Sequence, residues 1–217
     1  MKKLLKIIPI LLLTTLFLQS CDNDDDTVIP PVTNNIVDIA QSSEDFTSLV
    51  AALQKANLVT TLQTQGPFTV LAPTNAAFST FLLDNGFGSL DEVPVDVLTN
   101  ILLNHVVGGR LASTDLTTGY ASTFATSSAS DASMSIFIDT SNGVRFNGVS
   151  SVTTADISAD NGIVHVVDAV IGLPTIATFA TSNNALSILV DALVYADSGS
   201  PTVPYISTVS DASAGPF

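Results

Sequence analysis

A stretch near the start of this chain recurs near its end. Residues 36–56 read IVDIAQSSEDFTSLVAALQKA, and residues 176–196 read IATFATSNNALSILVDALVYA. At a constant offset of 140, Ile36 matches Ile176, Ala40 matches Ala180 and Ser42 matches Ser182. Leu49-Val50 and Ala52-Leu53 likewise match Leu189-Val190 and Ala192-Leu193. Each copy has a serine able to cap a helix. Behind it, apolar residues stand at i, i+3, i+4 and i+7 (Phe46, Leu49, Val50, Leu53; then Leu186, Leu189, Val190, Leu193), which is one face of a helix. Each copy then reaches Gly-Pro-Phe, at 66–68 and at 215–217, where the offset has grown to 149. The first Gly-Pro-Phe runs straight into TVLAPTNAAF, so the terminal one is expected to open a strand. Residues 175–217 are therefore expected to be the incomplete opening of a second domain, and the 217 residues to be one piece of a tandem array. With no core of its own to fill, the second helix (about 183–196) is expected to dock on the first domain or fray.

The first twenty residues have a basic start (Lys2, Lys3, Lys6), an apolar run and a small residue, Ser20, before Cys21. That pattern is a secretory signal, too short and one-sided for a membrane span. Its end, Leu18-Gln19-Ser20-Cys21, resembles the bacterial lipobox, so Cys21 is the expected lipidation site. In an acyl anchor, each buried methylene contributes about 0.8 kcal/mol. Cys21 is the one cysteine of the sequence, which excludes an internal disulfide. Residues 21–35 form an acidic, proline-containing linker (Asp22, Asp24, Asp25 and Asp26, then Pro30-Pro31), able to hold a domain off a membrane. An acidic cluster behind a lipidated cysteine also resembles the surface-export signal of Bacteroidetes lipoproteins. The expected location is the cell envelope, at the outer membrane and exposed on the surface.

The formal charge is −14, and all twenty acids lie beyond Cys21. Three of the six bases lie in the signal, leaving Lys55, Arg110 and Arg145. Nucleic acid is excluded as a partner, because phosphate binding depends on clustered Lys and Arg. So is electrostatic adhesion to an anionic bilayer.

Between the two copies, Phe68–Leu71 predicts a short strand closed by Ala72-Pro73. Thr74 is placed to cap a helix from Asn75 to about Leu83, with Phe78, Phe81 and Leu82 inward. Pro94 suits a helix start, followed by Val97, Leu98, Ile101, Leu102 and His105 at helical spacing. From Leu111 the composition turns to Ser, Thr, Ala and Gly with β-branched residues. MSIFIDT, VRFNG, SSVTTADI and GIVHVVDAVI predict strands, punctuated by Asn142-Gly143 and Asn161-Gly162. Helices early and strands late indicate an α+β domain.

Three segments carry a family resemblance. GPFTVLAPTNAAF (66–78) is similar to the first signature of fasciclin-type adhesion domains, and ADISADNGIVHVVDAVI (155–171) to the second. ILLNHVV (101–107) resembles the histidine motif between them. The resemblance covers residues 36–174 in full and 175–217 as an incomplete second copy. It implies a β-wedge or sandwich with surrounding helices, and a role in adhesion at cell surfaces or in extracellular matrix. Partners would be a cell-surface or matrix protein or a polysaccharide. The family often has a tyrosine before the histidine; Asn104 stands there, so a tyrosine-dependent receptor contact is not carried over.

The motif residues are Pro73, Thr74, Asn75, Phe78, His105, Asn161, Gly162, His165 and Asp168, expected to be mainly structural. Pro73 and Thr74 end a strand and begin a helix. Asn161-Gly162 is expected to make a tight turn in which glycine tolerates positive φ. His105 and His165 are expected to be buried and neutral, bonded to backbone or to a residue such as Asp168. As metal ligands they would need a third partner that the sequence does not single out. A calcium loop at Asp156 fails, because Asn161 stands where glycine is required and Val167 where a bidentate glutamate is required. No Gly-x-Ser-x-Gly, His-Glu-x-x-His or P-loop occurs. No catalytic site, metal or cofactor is expected. The alternative is a glycan-binding or glycan-processing envelope lipoprotein whose active part lies beyond residue 217.

Overall fold

Asn35 opens the fold by capping helix α1 (Ile36–Gln41). Its side chain accepts from the N–H groups of Val37 and Asp38, while the Asp38 carboxylate accepts from the Asn35 N–H, a reciprocal capping box. The computed structural model of the protein describes residues 34–64, 66–127, 130–199 and 202–210. Cys21, the signal and the acidic run lie outside the described residues.

Ser43, rather than the repeat-matched Ser42, caps the single 3₁₀ turn Glu44–Phe46 that leads into helix α2 (Thr47–Lys55). Phe46, Leu49 and Leu53 are buried there as their spacing predicts, and Val50 is half-buried. Helix α3 (Val59–Gln63) follows. Strand β1 (Phe68–Pro73) runs two residues past Leu71, because Ala72 and Pro73 still pair with Val166 and Val167. The Thr74 hydroxyl accepts from the Ala77 N–H to start helix α4 (Asn75–Asp84), which buries Phe78. Helix α5 (Val95–Asn104) starts after Pro94 and buries Leu98, Ile101 and Leu102; Val97, at the same spacing, faces solvent.

Six further strands follow: β2 (Val106–Gly108), β3 (Gly119–Thr126), β4 (Ser133–Asp139), β5 (Arg145–Phe146), β6 (Ser150–Ala159) and β7 (Gly162–Val167). They close into a seven-strand barrel in sequence order, with β1 and β7 paired in parallel and the other neighbours antiparallel. The α+β architecture, strands ringed by helices, is as expected from the sequence. Its closure joins the first strand to the last. Every residue of β7 is buried, which is why that strand reads as a continuous apolar run.

One apolar cluster lies between α1, α2, α4, α5 and the β1–β7 pair, around Val37, Leu53, Phe78 and Leu98. A second fills the barrel around Leu71, Ile136, Phe146 and Ile171. The second copy of the repeat forms helices α6 (Ile176–Ser182), α7 (Ser187–Ser198) and α8 (Tyr205–Ser210). Helix α8 was not predicted; Asp197 anchors it by accepting from the N–H groups of Tyr205 (2.7 Å) and Ile206 (3.0 Å). Helix α6 docks through Phe179, edge-on to Tyr120 with ring centroids 5.4 Å apart. The Asn183 amide also donates to the Tyr120 hydroxyl at 3.1 Å.

Candidate functional site

The two signatures meet where the β6–β7 turn faces the start of β1, and Asn161 is the junction. Its side-chain amide donates to the carbonyls of Leu62 (2.7 Å) and Thr64 (2.9 Å). Its side-chain oxygen accepts from the Ile36 N–H (3.0 Å), and its backbone carbonyl from the Phe68 N–H (3.1 Å). One residue thus ties α1, the end of α3 and β1 to the β6–β7 hairpin. Gly162 does not occupy the positive-φ conformation expected of it; the positive φ nearest in sequence is at Asp156 (64°), inside β6 where the β6–β7 register shifts. A Cβ on Gly162 would sit 2.1 Å from the Phe68 carbonyl oxygen and 2.8 Å from Ile36 Cδ1. Close approach of two backbones, not a left-handed turn, is what requires glycine here.

Asn75 does similar work between helices. Its side chain accepts from the Ser48 N–H (2.8 Å) and donates to the Glu44 carbonyl (2.7 Å), fixing the start of α2 on α4. Asp168 accepts from the Ser151 N–H at 2.7 Å across β6 and β7, and bonds neither histidine. Asn104 is fully buried, donating to the Gly172 carbonyl (3.0 Å) and accepting from the Thr123 hydroxyl (3.2 Å).

Both histidines are buried, with both ring nitrogens bonded to backbone groups. His105 lies 2.8 Å from the Ile101 carbonyl through Nδ1, and its Nε2 accepts from the Ile171 N–H at 2.9 Å. Carbonyls only accept and N–H groups only donate, so the proton sits on Nδ1 and the ring is neutral. Burial pushes its pKa down to about 4, opposed by the bond to Ile101. His165 is the opposite tautomer. Its Nδ1 accepts from the Asp156 N–H (3.2 Å) and its Nε2 donates to the Leu111 carbonyl (2.9 Å). Binding a metal would cost either ring a backbone partner. No group of three or more His, Cys, Asp or Glu able to hold a metal occurs among the described residues.

No sequence motif includes Arg110 or Lys55, and both cap backbone carbonyls, Lys55 half-buried and Arg110 at the surface. Lys55 donates to the carbonyls of Leu90, Asp91 and Val93 at 2.7–2.8 Å. Arg110 donates to the carbonyls of Ala159 (2.8 Å) and Gly162 (2.5 Å) and to the Ser158 hydroxyl. It borders an open groove of about 560 Å³ with Gln63, Asp160 and Asn161. Arg145 donates to the Gly148 carbonyl at 2.6 Å. Each base beyond the signal therefore serves backbone carbonyls. Asp156 was read only as a failed calcium ligand. Its carboxylate accepts from the Ser113 hydroxyl (2.5 Å) and N–H (2.7 Å), which hold it below its ordinary pKa.

The remaining surface feature is apolar. Helix α7 copies α2 in sequence, yet none of its residues is buried. Leu49 is 4% exposed and its match, Leu189, is 45% exposed. Where α2 carries Ser48, Gln54 and Lys55, α7 carries Ile188, Val194 and Tyr195, all exposed. Val203 and Tyr205 are exposed as well.

Comparison with known proteins agrees with the motif order. The family model described as Fasciclin domain matches residues 44–174. The uncharacterized protein sll1735 of Synechocystis sp. is 41% identical over 137 residues, covering 63% of this chain and 96% of its own length. Transforming growth factor-beta-induced protein ig-h3 of Oryctolagus cuniculus is 30% identical over 146 residues, covering 66% of this chain and 20% of its own. Among solved structures, a FAS1 domain pair from the insect cell adhesion molecule fasciclin I is similar, with a TM-score of 0.44 and 20% identity. That similarity covers 74% of this chain and 52% of the solved one. With that family model matched over more than half of its length, this chain belongs to the fasciclin domain family.

Proposed function

We propose that this protein is a lipid-anchored, surface-exposed adhesion or interaction module built of tandem fasciclin domains, acting through extended surface and without catalysis. What supports this is the fasciclin family match together with a first domain whose motif side chains are occupied internally, which leaves surface rather than a polar pocket to bind a partner. The positions of α7 that match buried positions of α2 support a second domain, completed by residues beyond 217. Lipid attachment at Cys21 and the acidic linker would present this surface away from the membrane. No helix among the described residues is long and apolar enough to cross one.

The test is a binding screen of the purified protein against glycans, matrix proteins and the protein itself. Saturable binding to one of these is the expected result. An empty screen counts against adhesion. Intact mass of the native product separately tests the tandem array, and Cys21→Ala should move the protein from the membrane to the soluble fraction.

A further inference from the structure

Four Asn-Gly steps occur in this sequence: Asn85-Gly86, Asn142-Gly143, Asn147-Gly148 and Asn161-Gly162. This dipeptide is the most open to intramolecular attack by the backbone, because glycine has no Cβ to block the approach. Attack requires the asparagine side chain to swing back over the next residue's nitrogen. Hydrogen bonds that hold the side chain keep it from doing so.

Three of the four are held. Asn161 uses both of its amide N–H groups and its side-chain oxygen, as described above. Asn147 is buried at 3% exposure, and its side-chain oxygen accepts from the Phe137 N–H at 2.8 Å. Asn85 donates to the Phe81 carbonyl at 2.8 Å, and the nitrogen that would attack, that of Gly86, donates to the Leu83 carbonyl at 3.1 Å. Asn142 is different. It is exposed, sits at the tip of the β4–β5 connection, and its side chain makes no hydrogen bond to the described residues. Gly143 is also exposed, and a Cβ there would meet nothing within 4 Å.

We propose that Asn142 is a site of spontaneous deamidation and isoaspartate formation in the folded protein. The Gly143 backbone nitrogen bonds to Cγ of Asn142 and loses its proton to solvent. The Cγ–Nδ2 bond breaks and ammonia leaves with a proton from water, giving a five-membered succinimide. Water then adds to one of the two imide carbonyls, and ring opening yields aspartate or isoaspartate. One water is consumed, one ammonia released, and nothing is oxidised or reduced. Isoaspartate lengthens the backbone by one atom. The tip can absorb it, because the β4–β5 ladder pairs Ile138 with Phe146 and Asp139 with Arg145. Outside that ladder, residues 140–144 bond to other described backbone only through an isolated Ser141–Gly143 bridge and a bond from the Val152 N–H to the Val144 carbonyl.

The experiment is to age the purified protein in warm, mildly alkaline buffer, with and without denaturant, and follow all four sites by peptide mass mapping. In the folded protein, the peptide holding Asn142 should gain one mass unit well before those holding Asn85, Asn147 and Asn161. Denaturant should bring the four rates together. Asn142→Gln should abolish the early conversion without changing the unfolding midpoint. If Asn142 is no faster than Asn147 and Asn161 in the folded protein, or if denaturant leaves the ranking unchanged, the proposal is wrong.

Discussion

The side-chain amide of Asn161 reaches the carbonyl of Leu62 at 2.7 Å across 99 residues of sequence. With the bonds to Thr64 and Ile36, it closes the gap between the first helices and the last hairpin. Asn161→Ala leaves two carbonyls and one N–H without this partner. Roughly 1–3 kcal/mol for each orphaned group, discounted because these groups are partly solvated, gives a loss of about 2–4 kcal/mol. Urea unfolding followed by circular dichroism checks it; a loss near zero would show that water replaces the side chain.

Gly162→Ala places a methyl group against the Phe68 carbonyl. The parallel β1–β7 pair would have to part, so a cost of about 3 kcal/mol or more is expected, at the upper end for single substitutions. Gly172, exposed and with open space where a Cβ would stand, is the control. Gly172→Ala should be neutral or stabilising by up to about 1 kcal/mol. Thermal unfolding of the two variants in parallel separates them.

Stability should fall on mild acidification because of His105. Its folded pKa is lowered to about 4 from 6.5. The unfolded state therefore binds more protons between these values, and the contribution is full above pH 6.5 and lost as pH falls toward 4. At about 1.4 kcal/mol per unit, the loss across that window is about 3 kcal/mol. Asp139 and Asp156, held below 3.8 mainly by hydrogen bonds from Ser141 and Ser113, lose their contributions only at lower pH. His105→Leu should flatten the pH dependence by one proton. In the wild type, NMR titration should show the His105 ring neutral at pH 5; a ring already protonated there contradicts this.

Leu49 and Leu189 hold the same place in the repeat and opposite environments. Leu49→Ala should cost about 2–5 kcal/mol, as for a buried leucine. Leu189→Ala should cost no more than about 1 kcal/mol in these 217 residues. Equal costs, read by urea unfolding, would mean that α7 is packed in solution by something the isolated protein supplies. In a native product carrying a full second domain, the Leu189 cost should rise toward that of Leu49.

Much of the scaffold was legible in local pattern. Thr74 before Asn75, the i, i+3, i+4, i+7 spacing of Phe46 to Leu53 and the apolar run of β7 each identified an element. Strands β2 and β3 and helix α8 were missed, because Val106–Gly108 is too short to show a period and Gly119–Thr126 is rich in Ser, Thr and Ala. At the motif residues, the type of role was readable but not the partner. His165 turned out to bond the N–H of Asp156 rather than Asp168, and Gly162 was required for a reason unrelated to turn geometry.

By itself, the sequence determined the helices around the Phe46 stripe, Thr74 and Pro94, most of the strands, the repeat and the acidic balance, because these follow from residue type and spacing along a local stretch. The tertiary structure decided that β1 pairs with β7, that Asn161 bridges 36, 62 and 64, and that Lys55 and Arg110 cap carbonyls 35 to 52 residues away. It also decided that α7 lies open where its copy α2 is covered. Each of these depends on groups far apart in sequence meeting in space. No local pattern states which donor finds which acceptor, or which apolar face finds a cover.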